Sequence, residues 1–137
     1  MSAVAVDTSV LLAIFKRESK GEEWLECLLS AAETAALLVS SVVFAEVRSF
    51  FPSDEACRKT LRTIRLRHSP LTEEAAVLAG KLFRTYRNQG RPRQSILPDF
   101  LVAAHAAAQA ESLATEDRGY LRRYFPTLRL LRPGTST

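Results

Sequence analysis

Ala3-Val4-Ala5-Val6-Asp7-Thr8-Ser9, with Val10-Leu11-Leu12-Ala13-Ile14-Phe15 behind it, is the stretch from which the rest of the chain is read. A short Val-rich run predicts a buried strand, and burial on both faces suits a parallel sheet. The run stops at a carboxylate, and Thr8 or Ser9 can cap a helix whose apolar positions begin at once. Asp7 is thereby placed at the carboxyl end of a central strand, where open α/β sheets bind their ligands. The competing reading is a helix-capping acid. Residues further along the chain bear on the choice.

Working outward, Trp24, Leu25, Leu28 and Leu29 fall at helical spacing within Gly21 to Ala32, and Trp24 reads as core or interface. Ala36 to Val39 is a second buried strand, followed by a helix from Val42 that ends near Pro52. Ser53-Asp54 opens a helix to about Arg65, carrying Arg58, Lys59, Arg62 and Arg65. Arg67 to Leu71 reads as a short edge strand, and Thr72-Glu73-Glu74 starts a long helix ending near Gly90. Pro98 suits the first turn of the next helix, and Asp99 to Ala110 is almost all small and apolar. Leu113 to Thr115 is a strand, Arg118 to Tyr124 a short helix, and Leu128 to Leu131 a last strand. Strands alternating with helices predict a doubly wound, mainly parallel sheet of four to five strands with helices on both faces. Residues 1–133 form one domain, and residues 134–137 a frayed tail.

The net charge of +4 is compatible with a polyanionic partner without demanding one. The two cysteines, Cys27 and Cys57, lack metal or redox spacing and read as free thiols in a reducing, cytoplasmic setting. The start lacks the basic flank of a signal peptide, and no apolar run reaches membrane-spanning length, so no membrane association is expected.

Four acids stand in awkward places. Glu46 interrupts an apolar helical face made by Val42, Val43, Val47 and Phe50, so it is expected to be buried and in need of a cation. A buried ion pair with an arginine would serve as well. Asp99 suits the helix dipole in a first turn, yet its face continues as Val102, Ala103, Ala106 and Ala110, which should set it over the strand ends. Asp117 follows the strand at Leu113 to Thr115 by two residues, and it could be a plain helix cap. Taken together, Asp7, Glu46, Asp99 and Asp117 lie at or near junctions that share one edge of a doubly wound sheet. Four close carboxylates cannot all stay ionised without a cation, and oxygen donors select Mg²⁺ or Mn²⁺ over zinc. Such a site suits attack of water on a phosphodiester.

These residues carry a resemblance. Val6-Asp7-Thr8-Ser9 with Leu11-Leu12, Ser40 to Val47, Asp99 to Ala104, and Thr115-Glu116-Asp117-Arg118 are similar, in order, to four motifs of the PIN-domain ribonucleases, specifically the VapC-like toxins of bacterial toxin–antitoxin pairs. The likeness spans nearly the whole chain. It implies a Mg²⁺-dependent (or Mn²⁺-dependent) endoribonuclease that leaves 5′-phosphate and 3′-hydroxyl ends. The catalytic and metal-binding set would be Asp7, Glu46, Asp99 and Asp117, with Thr8, Ser9 and Thr115 as polar support. It also implies an antitoxin partner and a homodimer. The chain departs from the pattern at His105, where the family commonly has Thr, and at Glu111-Ser112, where a Gly often precedes the strand. His105 lies six residues beyond Asp99, about 600° around the helix, and reads as a packing or surface residue, with a role near substrate as the further option.

Arg91, Arg93 and Arg118 flank the acids and are candidates for holding RNA phosphates, whereas Arg58 to Arg65 read at least as well as a solvated helix face. A PIN-like module that binds RNA or protein without cutting is the alternative function. A phosphoaspartyl hydrolase would want an Asp two residues beyond Asp7, where Ser9 stands.

Overall fold

The computed structural model describes residues 2–90, 96–116 and 121–134. The elements run β1 (Ser2–Val6), α1 (Thr8–Phe15), α2 (Gly21–Ala31), β2 (Ala35–Ser40), α3 (Ser41–Arg48), α4 (Asp54–Thr63), β3 (Leu66–Ser69), α5 (Glu73–Asn88), α6 (Leu97–Gln109), β4 (Ser112–Ala114), α7 (Leu121–Tyr124) and β5 (Arg129–Leu131). The five strands form one sheet in the order β3-β2-β1-β4-β5, and every pairing is parallel. The expected doubly wound sheet is what forms. From β1 the chain winds outward through β2 to β3, then returns to place β4 on the other side of β1. Asp7 therefore follows the strand at which the winding reverses, the usual position of an open α/β crevice.

Local chemistry explains the element starts. Ser40, Ser53 and Thr72 each accept a backbone N–H three residues on, from Val43, Ala56 and Ala75, at 3.3, 3.1 and 3.1 Å. Helix α3 stops at Arg48, short of the expected Pro52. The Ser49 hydroxyl donates to the Glu46 carbonyl at 2.6 Å, and the Arg48 guanidinium reaches forward to the Phe51 carbonyl and Asp54 at 2.8 and 2.7 Å. These bonds turn the chain into α4 where a longer helix would have run past it.

The core lies on both faces of the sheet. Val6, Leu11, Trp24, Leu28, Leu37, Val39, Val43 and Val47 are all essentially inaccessible, each large side chain contributing about 1.5–3 kcal/mol of burial. The small residues of α6 have the consequence read from them: Ala103, Ala104 and Ala106 are fully buried, and α6 packs against α5, β1 and β4. Phe100 fills the space beyond them, in edge or tilted contact with Phe83, Tyr86, Tyr124 and Phe125. Among the described residues no helix is long and apolar enough to cross a membrane.

Candidate active site

Strand register lines up a row of polar side chains at the carboxyl edge of the sheet. Ser40 pairs with Ser69 across β2 and β3. Ala5 pairs with Leu38, and Val6 with Ala114, so the next rungs set Asp7 level with Ser40 on one side and Thr115 on the other. The Asp7 N–H extends the ladder onto the Ala114 carbonyl at 2.9 Å. With strands about 4.8 Å apart, Ser69, Ser40, Asp7 and Thr115 form one continuous hydrophilic rim.

Asp7, not Thr8 or Ser9, occupies the cap position of α1. Its carboxylate is nevertheless a poor cap. Among the described residues Oδ1 accepts only the adjacent Thr8 N–H, at 2.8 Å, while Oδ2 accepts hydroxyl protons from Thr115 at 2.7 Å and Ser9 at 3.3 Å. The second oxygen is thus turned from the helix towards the rim. Burial pushes the Asp7 carboxyl above its ordinary range; the hydroxyl and amide donors pull it back, and the charge of Glu46 adds to the rise. The fold holds this acid where its charge is disfavoured.

Glu46 corrects one expectation. It sits on the exposed side of α3, beside the buried stripe of Val43 and Val47. A stripe that narrow needs only positions i and i+4, so Glu46 at i+3 looks out over the rim. There the Thr8 hydroxyl donates to its Oε1 at 2.6 Å. Thr8 therefore joins the two acids, giving Asp7 its amide and Glu46 its hydroxyl.

Asp99 lies in the first turn of α6, half-buried, and its Oδ2 accepts the Ile96 N–H at 3.0 Å. Isoleucine offers no side-chain oxygen in return, so only one half of a capping box forms. The described contacts of Asp99 are with its own helix end, and none joins it to Asp7 or Glu46. Asp117, Arg91, Arg93 and Arg118 lie outside the described residues. Among the described residues no three His, Cys, Asp or Glu side chains gather closely enough to hold a metal ion. Asp7 and Glu46 still fit one in kind. They are hard oxygen donors, and a divalent cation between them would relieve both the burial of Asp7 and its repulsion from Glu46.

Glu116 gains a role that sequence reading did not assign, and His105 settles on one of its readings. Glu116 accepts the Trp24 indole N–H at 2.5 Å, lies 3.8 Å from the Lys20 ammonium, and donates its own N–H to Ser9 Oγ at 3.3 Å. A buried Trp announces that its N–H needs an acceptor, but nothing in sequence says which acid supplies it. His105 is fully buried, with Nε2 bonded to Ser69 Oγ at 3.0 Å and no partner for Nδ1 among the described residues. Burial holds its pKa below the ordinary imidazole range. It is a packing residue, and the surface option is excluded. A separate groove of about 1110 Å³ opens at the opposite, amino edge of the sheet, lined by Glu23, Glu26, Glu33 and Glu111 among others. Its acids repel a polyanion and stand far from the rim.

Several solved structures share the fold. VapBC2 from Rickettsia felis, bound to a DNA fragment from its promoter, superposes with a TM-score of 0.69 at 23% identity, over 93% of this chain and 96% of that one. VapBC-1 from nontypeable Haemophilus influenzae gives 0.70 at 20% identity, over 97% and 99%. A toxin–antitoxin complex from Klebsiella pneumoniae gives 0.69 at 18% identity, over 95% and 97%. No curated protein matches the chain. The family model described as the PIN domain matches residues 4–126, from the middle of β1 to the turn before β5; the chain belongs to the PIN-domain family.

Proposed function

We propose that this chain is a divalent-metal-dependent endoribonuclease and the toxin of a toxin–antitoxin pair. The observation that carries the reading is the Asp7–Glu46 pair: two acids joined through Thr8 at the carboxyl edge of the sheet, one of them held where its own charge is disfavoured. A fold that needed Asp7 only as a cap would have no use for turning Oδ2 away from the helix. Family membership and the likeness to VapBC assemblies support the same reading.

Asp7 and Glu46 would hold a Mg²⁺ or Mn²⁺ ion, with Asp99 and Asp117 as further carboxylates of the set. When bound, the cation supplies positive charge beside the scissile phosphate and acidifies a water for attack at phosphorus. Thr115 and Ser9 fix the rotamer of Asp7, and Thr8 fixes Glu46 relative to it, so the donor oxygens are arranged before substrate arrives. Arg91, Arg93 and Arg118 would hold flanking phosphates. The antitoxin would dock on the apolar surface near the end of α1, where Phe50 is 55% exposed and Phe51 packs edge-on against Phe15. Trp24, fully buried, is not available as an anchor. The working unit would be a homodimer.

The test is cleavage of a mixed RNA substrate by purified protein in Mg²⁺ or Mn²⁺. Chelator and Asp7→Asn should each abolish it, and products should carry 5′-phosphate and 3′-hydroxyl ends. Full cleavage by Asp7→Asn, or cleavage indifferent to chelator, overturns the reading. The second reading, a PIN-like module that binds without cutting, draws on Asp99, whose described contact serves its own helix end. RNA binding with no cleavage under any metal would select it.

A further inference from the structure

The contacts around Glu116 close a circuit. Asp7 begins at the amino end of α1, and the far end of α1 presses on α2: a Cβ added at Gly21 would lie 2.4 Å from the Ala13 carbonyl oxygen. One turn along α2, Trp24 is fully buried and donates its indole N–H to the Glu116 carboxylate. Glu116 in turn donates its backbone N–H to Ser9 Oγ, and Ser9 donates to Asp7 Oδ2. The circuit thus returns to the acid from which it started.

The direction of these bonds matters. A hydroxyl has one proton and two lone pairs. The Glu116 N–H occupies a lone pair of Ser9 Oγ and so leaves the Ser9 proton to point at Asp7. Placement of the residue 116 peptide therefore orients the Ser9 hydroxyl towards Asp7. That peptide follows a three-residue strand and is anchored through its own side chain, on Trp24 and Lys20. Because Trp24 has no accessible surface, its N–H cannot turn to water if Glu116 leaves. The bond is obligatory for the indole end.

We propose that Glu116 is a positioning residue for the candidate site: held by Trp24, it sets Ser9 and hence the orientation of the Asp7 carboxylate. Its carboxylate thereby couples helix α2 to the catalytic rim without itself touching substrate or metal. The consequence for metal binding rests on the nuclease reading, whereas the placement of Asp7 does not.

The experiment compares Glu116→Ala, Glu116→Gln and Trp24→Phe with the parent chain. In chelator, backbone amide spectra should show the Thr8 and Ser9 N–H resonances displaced in Glu116→Ala and Trp24→Phe and restored in Glu116→Gln, whose amide oxygen can still accept the indole proton. Mn²⁺ titration followed by calorimetry should show at least a fivefold weaker Kd for the first two variants and a value within twofold of the parent for the third. The double variant Trp24→Phe/Glu116→Ala should be no weaker than Glu116→Ala alone, since both remove one bond. Thr8 and Ser9 resonances that stay in place in Glu116→Ala overturn the proposal, as do additive losses in the double variant. Glu116 is 31% exposed, so its substitution should leave the fold intact even if Trp24→Phe does not. If the parent chain binds no Mn²⁺, the nuclease reading falls, and the amide spectra alone decide the role of Glu116.

Discussion

Thr115→Val tests the support that Thr115 gives to Asp7 at the candidate site. The change keeps shape and removes the hydroxyl that donates to Asp7 Oδ2 at 2.7 Å. Thr115 has no accessible surface, so water cannot take the donor's place. A hydrogen bond to an ionised partner contributes about 1.5–3 kcal/mol, against roughly 0.5–1.5 kcal/mol between neutral groups. Stability should therefore drop by about 1.5–3 kcal/mol while Asp7 is charged, and by roughly 0.5–1.5 kcal/mol once it is protonated. Loss of a donor to the ionised form also moves the Asp7 pKa further up, so the penalty grows as pH rises through that pKa. Ser9→Ala should follow the same course at smaller amplitude, because its bond is longer at 3.3 Å. Denaturant unfolding in chelator, run at a series of pH values from acid to neutral, measures both. A penalty that does not change with pH would show that the Thr115 hydroxyl does not serve the charge of Asp7.

Asp7 and His105 should bound the stability profile from opposite sides. Burial raises the Asp7 pKa above its unfolded value, so its contribution is full below the unfolded pKa and is lost as pH rises through the folded one. Asp7→Asn should gain on the parent chain as pH rises in chelator, and parallel curves would refute this. Burial lowers the His105 pKa, so its contribution is present above the unfolded value and lost as pH falls towards the folded one. His105→Gln should flatten that acid limb in thermal melts. Gly21→Ala drives a methyl against the Ala13 carbonyl and should cost about 1–3 kcal/mol by denaturant unfolding. Replacing Arg91, Arg93 and Arg118 together with Ala should reduce the slope of log binding constant against log salt for single-stranded RNA by about 2, three contacts at roughly 0.7 each; an unchanged slope places the phosphate contacts elsewhere.

Much of the architecture could be read from sequence because its signals are local. The Val-rich run ending at Asp7, the hydroxyls at Ser53 and Thr72, and the alanine face of α6 each declare an element within a few residues. The end of α3 could not be read in that way, since it depends on Arg48 reaching forward to Asp54. The exposure of Glu46 is hidden from sequence for a related reason. Periodicity marks an apolar face but not its width, and a helix buried through only Val43 and Val47 leaves position 46 in the open. The partners of Asp7 divide on the same line. Thr8 and Ser9 are its neighbours in sequence, whereas Thr115 and Glu116 reach it through long-range contacts: a strand register in one case, a tryptophan 92 residues away from Glu116 in the other.

The placement of β1 at the centre of the sheet sets the order in which the rim can exist. Its first neighbour, β2, is supplied by residues 35–40, but its second, β4, comes only from residues 112–114. Closing that loop costs entropy before any contact rewards it, and parallel pairing at such separation is slow. While the chain is being made, Asp7 is synthesised 108 residues ahead of the Thr115 hydroxyl it acquires. A nascent chain that has emerged only as far as α5 can pair β1 with β2 and β2 with β3, yet Asp7 Oδ2 still lacks its closest donor. If the rim cuts RNA, its full assembly is deferred until Thr115 has left the ribosome.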